Sequence, residues 1–147
     1  MKKTEVLKLE NQICFRLYTA SRFMTQLYSP ILEDLDLTYP QYLVMLVLWE
    51  HTELSVKDIG SLLYLDSGTL TPLLKKLESK NLVKRIRSKD DERIVNISIT
   101  TKAQDLYEKA KSVPEKIMCK SGMEIDKIIE LKGILDVLIE NTLKITK

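Results

Sequence analysis

The chain has 147 residues, of which 44% are apolar and 30% charged, with four glycines and four prolines. That is about one domain, with enough apolar residues for a core and few long loops. No apolar run nears the roughly 18 residues needed to cross a bilayer, and the opening MKKTEVLKLENQ lacks the apolar centre of a secretory signal. The expectation is a cytoplasmic protein with its two cysteines kept as thiols. Net charge is +2, unevenly spread. Lys75 to Arg93 holds eight basic and four acidic residues, a local +4, which leaves 15 basic and 17 acidic elsewhere. A basic patch on a near-neutral body suits a nucleic-acid surface, and equally a solvated helix face.

From about Val6 to Tyr28, apolar residues recur at three- and four-residue steps (Leu9, Ile13, Leu17, Ala20, Met24, Leu27). This predicts one long amphipathic helix, ended by Pro30. Thr38 or Tyr39 opens a second, buried helix through PQYLVMLVLWE, with Pro40 tolerated in its first turn. Ser55, with Asp58 three residues on, resembles a capping box for a third helix that closes over Leu62, Leu63 and Leu65. Asp66 or Ser67 caps a fourth, running to about Lys80. Pro72 deletes a bond to Gly68, so regular helix is expected to begin nearer Thr69. Val83 to Arg87 and Ile94 to Ile99 read as strands joined by a KDDE turn. Thr101 to Lys111 is helical, Pro114 kinks or restarts it, and Gly122 breaks it. A final helix from about Glu124 carries Ile128, Leu131, Leu135, Leu138, Thr142 and Ile145 at alternating three- and four-residue steps.

The order between Ser55 and Ile99 is helix, turn, helix, basic hairpin. That is a winged helix-turn-helix, which lays one helix in a DNA major groove and a hairpin beside it. The fold class expected is mainly α with a small β-wing. The first and last helices each carry a narrow apolar seam. Pairing across a two-fold axis in a homodimer would bury both seams, and an antiparallel hairpin within one chain is the competing arrangement. In the dimeric reading, residues 1–147 form a single domain. About 1–32 and 101–147 are its dimerisation helices, and about 40–100 its winged helix-turn-helix.

In the fourth helix, Ser67, Thr69 and Thr71 place hydroxyls and free backbone N–H groups at the N-terminal end, where phosphates and base edges are met. Lys75 and Lys76 follow one turn later, while Leu70, Leu73, Leu74 and Leu77 face the core. An ordinary amphipathic surface helix explains the leucines but not the clustered hydroxyls. Arg85 and Arg87 precede the hairpin turn and Arg93 follows it. A narrow minor groove attracts arginine, and Asp91 can orient Arg93.

Cys14 lies near the apolar stripe of the first helix beside Phe15, where a lone cysteine is often an inert small hydrophobe. Tyr18 is one turn along. Tyr28 is fourteen residues on, roughly 21 Å away along a helix. That is too far for its own Cys14, but Cys14 of an antiparallel partner helix is within its reach. Tyr39 can approach from the same side. Phenolic O–H groups favour the thiolate, the form that attacks peroxides, and the rings would accept an apolar peroxide tail. His51 is the sole histidine, so neither a zinc site of usual composition nor a histidine-based triad is expected; a partly exposed loop position is. There is no P-loop, dinucleotide fingerprint or thioredoxin-like βαβ pattern. No metal, cofactor or enzymatic turnover is implied.

The segment DSGTLTPLLKKLE followed by R-S-x-D-D-E-R resembles the MarR family of winged-helix regulators. LENQICFRLYTASR with LTYPQYLVMLVLWE resembles its OhrR branch, the organic hydroperoxide resistance repressors. The likeness runs from about Lys8 to Thr100 and loosens in the last third. It implies a homodimer on a pseudo-palindromic double-stranded DNA operator, released when an organic hydroperoxide oxidises Cys14. Phe15, Tyr18, Tyr28 and Tyr39 would then form the thiolate pocket across the dimer interface. Cys119 sits about where the two-cysteine class of the family carries a cysteine that resolves the sulfenate as a disulfide; otherwise it is incidental. A MarR-type repressor released by a phenolic or other small ligand, without redox chemistry, is the alternative.

Overall fold

The structure is a computed structural model that describes residues 5–88, 91 and 93–146. Lys89, Asp90 and Glu92 of the expected KDDE turn lie outside the described residues. The chain divides between Val113 and Pro114 into two compact units. The first holds α1 (Ile13–Glu33), α2 (Tyr39–His51), β1 (Glu53–Ser55), α3 (Val56–Leu63), α4 (Ser67–Ser79), β2 (Val83–Arg87), β3 (Val95–Ile99) and α5 (Thr101–Ala110). At the boundary α6 (Val113–Ser121) begins, and α7 (Ile125–Thr146) completes the second unit.

Three helix boundaries differ from the sequence expectation, two of them around proline. The first helix starts at Ile13, after a 3-10 turn over Leu9–Asn11, and continues through Pro30 to Glu33. The side-chain amides of Asn11 and Gln12 donate to the carbonyls of Glu5 and Val6, so the chain before Ile13 is held in a turn. Pro30 lacks the N–H for one helical bond, but Ile31 and Leu32 are buried, and their burial holds the last turn in place. Likewise α4 begins at Ser67 rather than near Thr69, with Pro72 inside it. Asp66 supplies the cap, accepting the Thr69 N–H at 2.9 Å. Leu70, Leu74 and Leu77, all fully buried, anchor the helix around the missing bond.

The core lies where α2, α3 and α4 meet. Val44, Met45, Leu48 and Ile59 are fully buried there with the three α4 leucines. Gln41 is a buried polar residue at the start of α2. Its Oε1 accepts the Thr38 N–H at 3.1 Å and closes the helix entry. Ser55 caps α3 as expected: its Oγ accepts the Asp58 N–H and its hydroxyl donates to the Asp58 carboxylate. A Cβ on Gly60 would stand 2.7 Å from the Leu65 carbonyl oxygen, so the tight exit from α3 into α4 requires glycine.

The sheet has three antiparallel strands in the order β1-β3-β2, with Leu54 and Arg85 both registered on Ile97. Strand β1 was not expected. Three residues are too short for alternation to show, and its pairing with β3 spans more than forty residues of sequence. In the second unit, Gly122 adopts φ +66° between α6 and α7. Leu131, Ile134, Val137 and Leu138 of α7 are exposed, as are Phe15, Phe23 and Met24 of α1 in the first unit. Large exposed apolar side chains in such numbers mark interaction surfaces. Among the described residues, no helix is long and apolar enough to cross a membrane.

Candidate functional site

Three of the expected DNA-reading residues sit at the start of α4. Asp66 organises this end. One carboxylate oxygen takes the Thr69 N–H and the other takes the Thr69 hydroxyl proton, each at 2.9 Å. These bonds, the backbone one foremost, hold its carboxyl below the usual range. Thr71 donates its hydroxyl to the Ser67 carbonyl at 2.6 Å. Ser67 and Thr69 are exposed, and so are Lys75 and Lys76 one to two turns on. The hydroxyl and lysine face is therefore opposite the buried leucines, with Leu73 half-buried between them.

The described end of the wing is closed by Ser88 donating its N–H to the Ile94 carbonyl at 2.8 Å. Asp91 accepts the backbone N–H of Arg93 at 3.0 Å and its Nε–H at 3.1 Å. The Arg93 side chain is 91% exposed yet oriented by this pairing. The same bonds, the guanidinium first, hold the Asp91 carboxyl below its usual range. Arg87 is exposed near the wing end. Arg85 is placed differently: its side chain is only a quarter exposed and lies 3.7 Å from the Glu78 carboxylate of α4, turned back onto the body.

The thiol residues divide into two groups. Cys14 and Cys119 are both free and exposed. Cys14 lies on the first full turn of α1. Phe15, next to it, lines an open hollow of about 590 Å³ together with Lys8, Leu9, Glu10 and Arg16. Tyr18 is exposed and carries the Arg22 guanidinium 5.5 Å from its ring centre. Tyr28 and Tyr39 come together at the far end of α1, their rings 4.7 Å apart. Because α1 is unbroken between Cys14 and Tyr28, that pair stays about 21 Å along the helix from its own thiol.

Sequence reasoning missed Tyr42, whose ring lies 5.9 Å from Tyr28. Burial pushes the phenols of Tyr28, Tyr39 and Tyr42 above their ordinary range, and the neighbouring rings add to this for Tyr28 and Tyr42. All three therefore remain hydroxyl donors. The row continues through Trp49, 6.3 Å from Tyr42, to Tyr107 at 5.7 Å. The Trp49 N–H is fixed on the Ala103 carbonyl at 2.8 Å. Spacing carries the signal that was available: Tyr39, Tyr42 and Trp49 stand at i, i+3 and i+10 on one helix. His51 ends α2 rather than lying in a loop. Among the described residues, no cluster of His, Cys, Asp or Glu could hold a metal.

A capped helix carrying hydroxyls and lysines, packed through leucines on two others and followed by an arginine-tipped hairpin, defines a winged-helix transcriptional regulator. The model of the SarA/Rot transcriptional regulators matches residues 26–110. The organic hydroperoxide resistance transcriptional regulator of Bacillus subtilis (strain 168) is 50% identical over 138 residues, 94% of each chain. The structure of reduced AbfR bound to DNA matches over the whole of both chains, with a TM-score of 0.83 at 36% identity. Disulfide-formed AbfR matches with 0.63 at 39% identity, over 97% of this chain and 94% of that one. AbfR is a protein of Staphylococcus epidermidis. The chain belongs to the MarR family of winged-helix transcriptional regulators, in the group that includes the organic hydroperoxide resistance regulators.

Proposed function

We propose that the chain is a homodimeric repressor in the cytoplasm that binds a pseudo-palindromic DNA operator and leaves it when an organic hydroperoxide oxidises Cys14. The observation that carries this reading is the pairing of Tyr28 with Tyr39 at the opposite end of α1 from Cys14. Two such helices, antiparallel across a two-fold axis, bring each phenol pair to the other chain's thiol. The exposed apolar faces of α1 and α7 support the dimer, and Phe15 supplies an apolar wall beside the thiol. The existence of AbfR in reduced, DNA-bound and disulfide forms supports a redox cycle.

In that cycle the Cys14 thiolate attacks the outer peroxide oxygen. The S–O bond forms, the O–O bond breaks, and the alkoxide leaves as the alcohol after taking a proton. The sulfur is oxidised to sulfenic acid and the hydroperoxide is reduced. Cys119 of the partner subunit then attacks the sulfenic sulfur, releasing water and forming a disulfide. On DNA, Ser67, Thr69 and Thr71 face base edges, Lys75, Lys76 and Arg87 face phosphates, and Arg93, held by Asp91, enters the minor groove. Arg85 supports the wing from within through Glu78.

The test begins with a duplex selected from a random-sequence library by the reduced wild-type protein. Its affinity is measured before and after cumene hydroperoxide for wild type, Cys14→Ser and Cys119→Ser. Release should be lost in Cys14→Ser. A covalent dimer should appear on non-reducing gels in wild type and be absent in Cys119→Ser. Full peroxide-driven release by Cys14→Ser would overturn the redox reading and favour a regulator freed by a small ligand.

A further inference from the structure

The C-terminal turn of α4 is a junction. Lys80, its C-cap, reaches 44 residues back in sequence to the corner between α1 and α2. Its Nζ lies 3.0 Å from the Asp36 carboxylate and donates to the Asp36 carbonyl as well. On the other side of the same turn, Glu78 meets Arg85 of the wing at 3.7 Å. The Lys80 carbonyl accepts from Lys102 of α5 at 2.8 Å, and the Asn81 carbonyl accepts from Thr100 at 2.7 Å. The corner that Lys80 holds is tightly wound. Leu35 and Leu37 both donate their N–H to the Leu32 carbonyl, and Asp36 between them takes the left-handed φ of +51°. Tyr28 lies just before this corner and Tyr39 just after it, their rings in contact.

We propose that Lys80 is a positioning residue that couples the tyrosine pair to the DNA-reading helix. The inference rests on the redox reading above. Tyr28 and Tyr39 bracket the corner, so a change in their spacing moves Asp36. Asp36 holds the cation at the C-terminal end of α4. The thirteen residues of α4 span about 18 Å. A tilt of about 5° pivoting on the tethered end shifts the N-terminal hydroxyls by about 1.6 Å, enough to break hydrogen bonds to bases. The Glu78–Arg85 contact carries the same motion to the wing. The Asp36 side chain is 85% exposed and that of Lys80 27%. The pair therefore contributes little to folding, and its loss leaves the fold intact. It also bounds the effect: an exposed tether can transmit a change of about fivefold in affinity per subunit.

The experiment compares wild type, Lys80→Met, Asp36→Asn and the double variant. The readout is the ratio of reduced to cumene hydroperoxide-treated affinity for the selected duplex. Each single variant removes the contact in both subunits and should shrink this ratio by about 25-fold at most, about fivefold per subunit, and the double variant no further, because both act through one contact. The dependence of log affinity on log salt should keep its slope in Lys80→Met. An unchanged ratio in both single variants, with wild type releasing normally, overturns the coupling role alone. A slope reduced by about two, one per subunit, makes Lys80 a phosphate contact, which also overturns it. A wild type that does not release on oxidation overturns the redox reading and this inference with it.

Discussion

Leu131→Glu should weaken the dimer without unfolding the winged unit. Leu131 is the second of six positions in the apolar seam of α7 and keeps 43% of its surface exposed in the single chain. Fully burying a leucine side chain contributes about 1.5–3 kcal/mol. The uncovered fraction then accounts for about 0.6–1.3 kcal/mol per protomer, and a two-fold interface counts it twice, giving about 1.3–2.6 kcal/mol. At 1.36 kcal/mol per tenfold, the dimer dissociation constant should rise roughly 10- to 80-fold from lost burial alone. The carboxylate that replaces the side chain must also be desolvated, so the true shift should exceed the lower bound. Analytical ultracentrifugation across a dilution series measures that constant. Trp49 fluorescence, which reports the other unit, should keep its wild-type unfolding midpoint at concentrations where both proteins are monomeric. A dissociation constant within threefold of wild type would refute the assignment of this seam to the dimer interface.

Four further outcomes follow from the site and the core. Arg93→Ala should weaken binding to the selected duplex by about 1–3 kcal/mol, or roughly 5- to 150-fold, measured by fluorescence anisotropy at fixed salt. Asp91 is held below the ordinary carboxylate range, so its hold on Arg93 is complete above that range and is lost as pH falls through the lowered value. Wild-type affinity should therefore show no contribution from this group between about pH 6 and 8. Leu74→Ala, at a fully buried position of α4, should cost about 2–5 kcal/mol in urea unfolding. Tyr28→Phe should slow Cys14 oxidation by cumene hydroperoxide roughly tenfold in stopped-flow measurements, since one lost hydrogen bond to a charged thiolate costs about 1.5 kcal/mol.

The fold was legible wherever periodicity and caps act locally. Ser55 with Asp58, Asp66 before the glycine and threonine, and the alternation of Val95 to Ile99 all signal their own elements. Proline misled twice, at Pro30 and Pro72, because burial of Ile31 and Leu32 beside the first and of Leu70 and Leu74 around the second outweighs one lost hydrogen bond. Strand β1 and the Lys80–Asp36 contact were not legible, since each joins residues more than forty positions apart. The thiol site was legible in its residue types and in the separation along α1, but not in the packing of its rings. The fourteen-residue spacing already separates Tyr28 from its own Cys14 and points to a second copy, whereas the packing of Tyr28 on Tyr39 and Tyr42 depends on how α2 folds back on α1. Arg85 read as one of three wing arginines, although its position opposite Ile97 turns it toward Glu78.

The two threonine hydroxyls of α4 have a consequence for the bases they can tell apart. Each proton is already given away, that of Thr69 to the Asp66 carboxylate and that of Thr71 to the Ser67 carbonyl. Both of those acceptors lack a proton of their own, so the direction of each bond is fixed. In the proposed complex, the helix would therefore turn a pair of lone-pair acceptors toward the groove. A phosphate oxygen has nothing to donate to them, nor have the O6 and N7 of guanine or the O4 of thymine. The exocyclic amino groups of adenine and cytosine do. If these positions meet base edges as proposed, they should favour an amino-bearing base over its keto counterpart, and the discrimination would originate in Asp66, a side chain that need not touch the DNA.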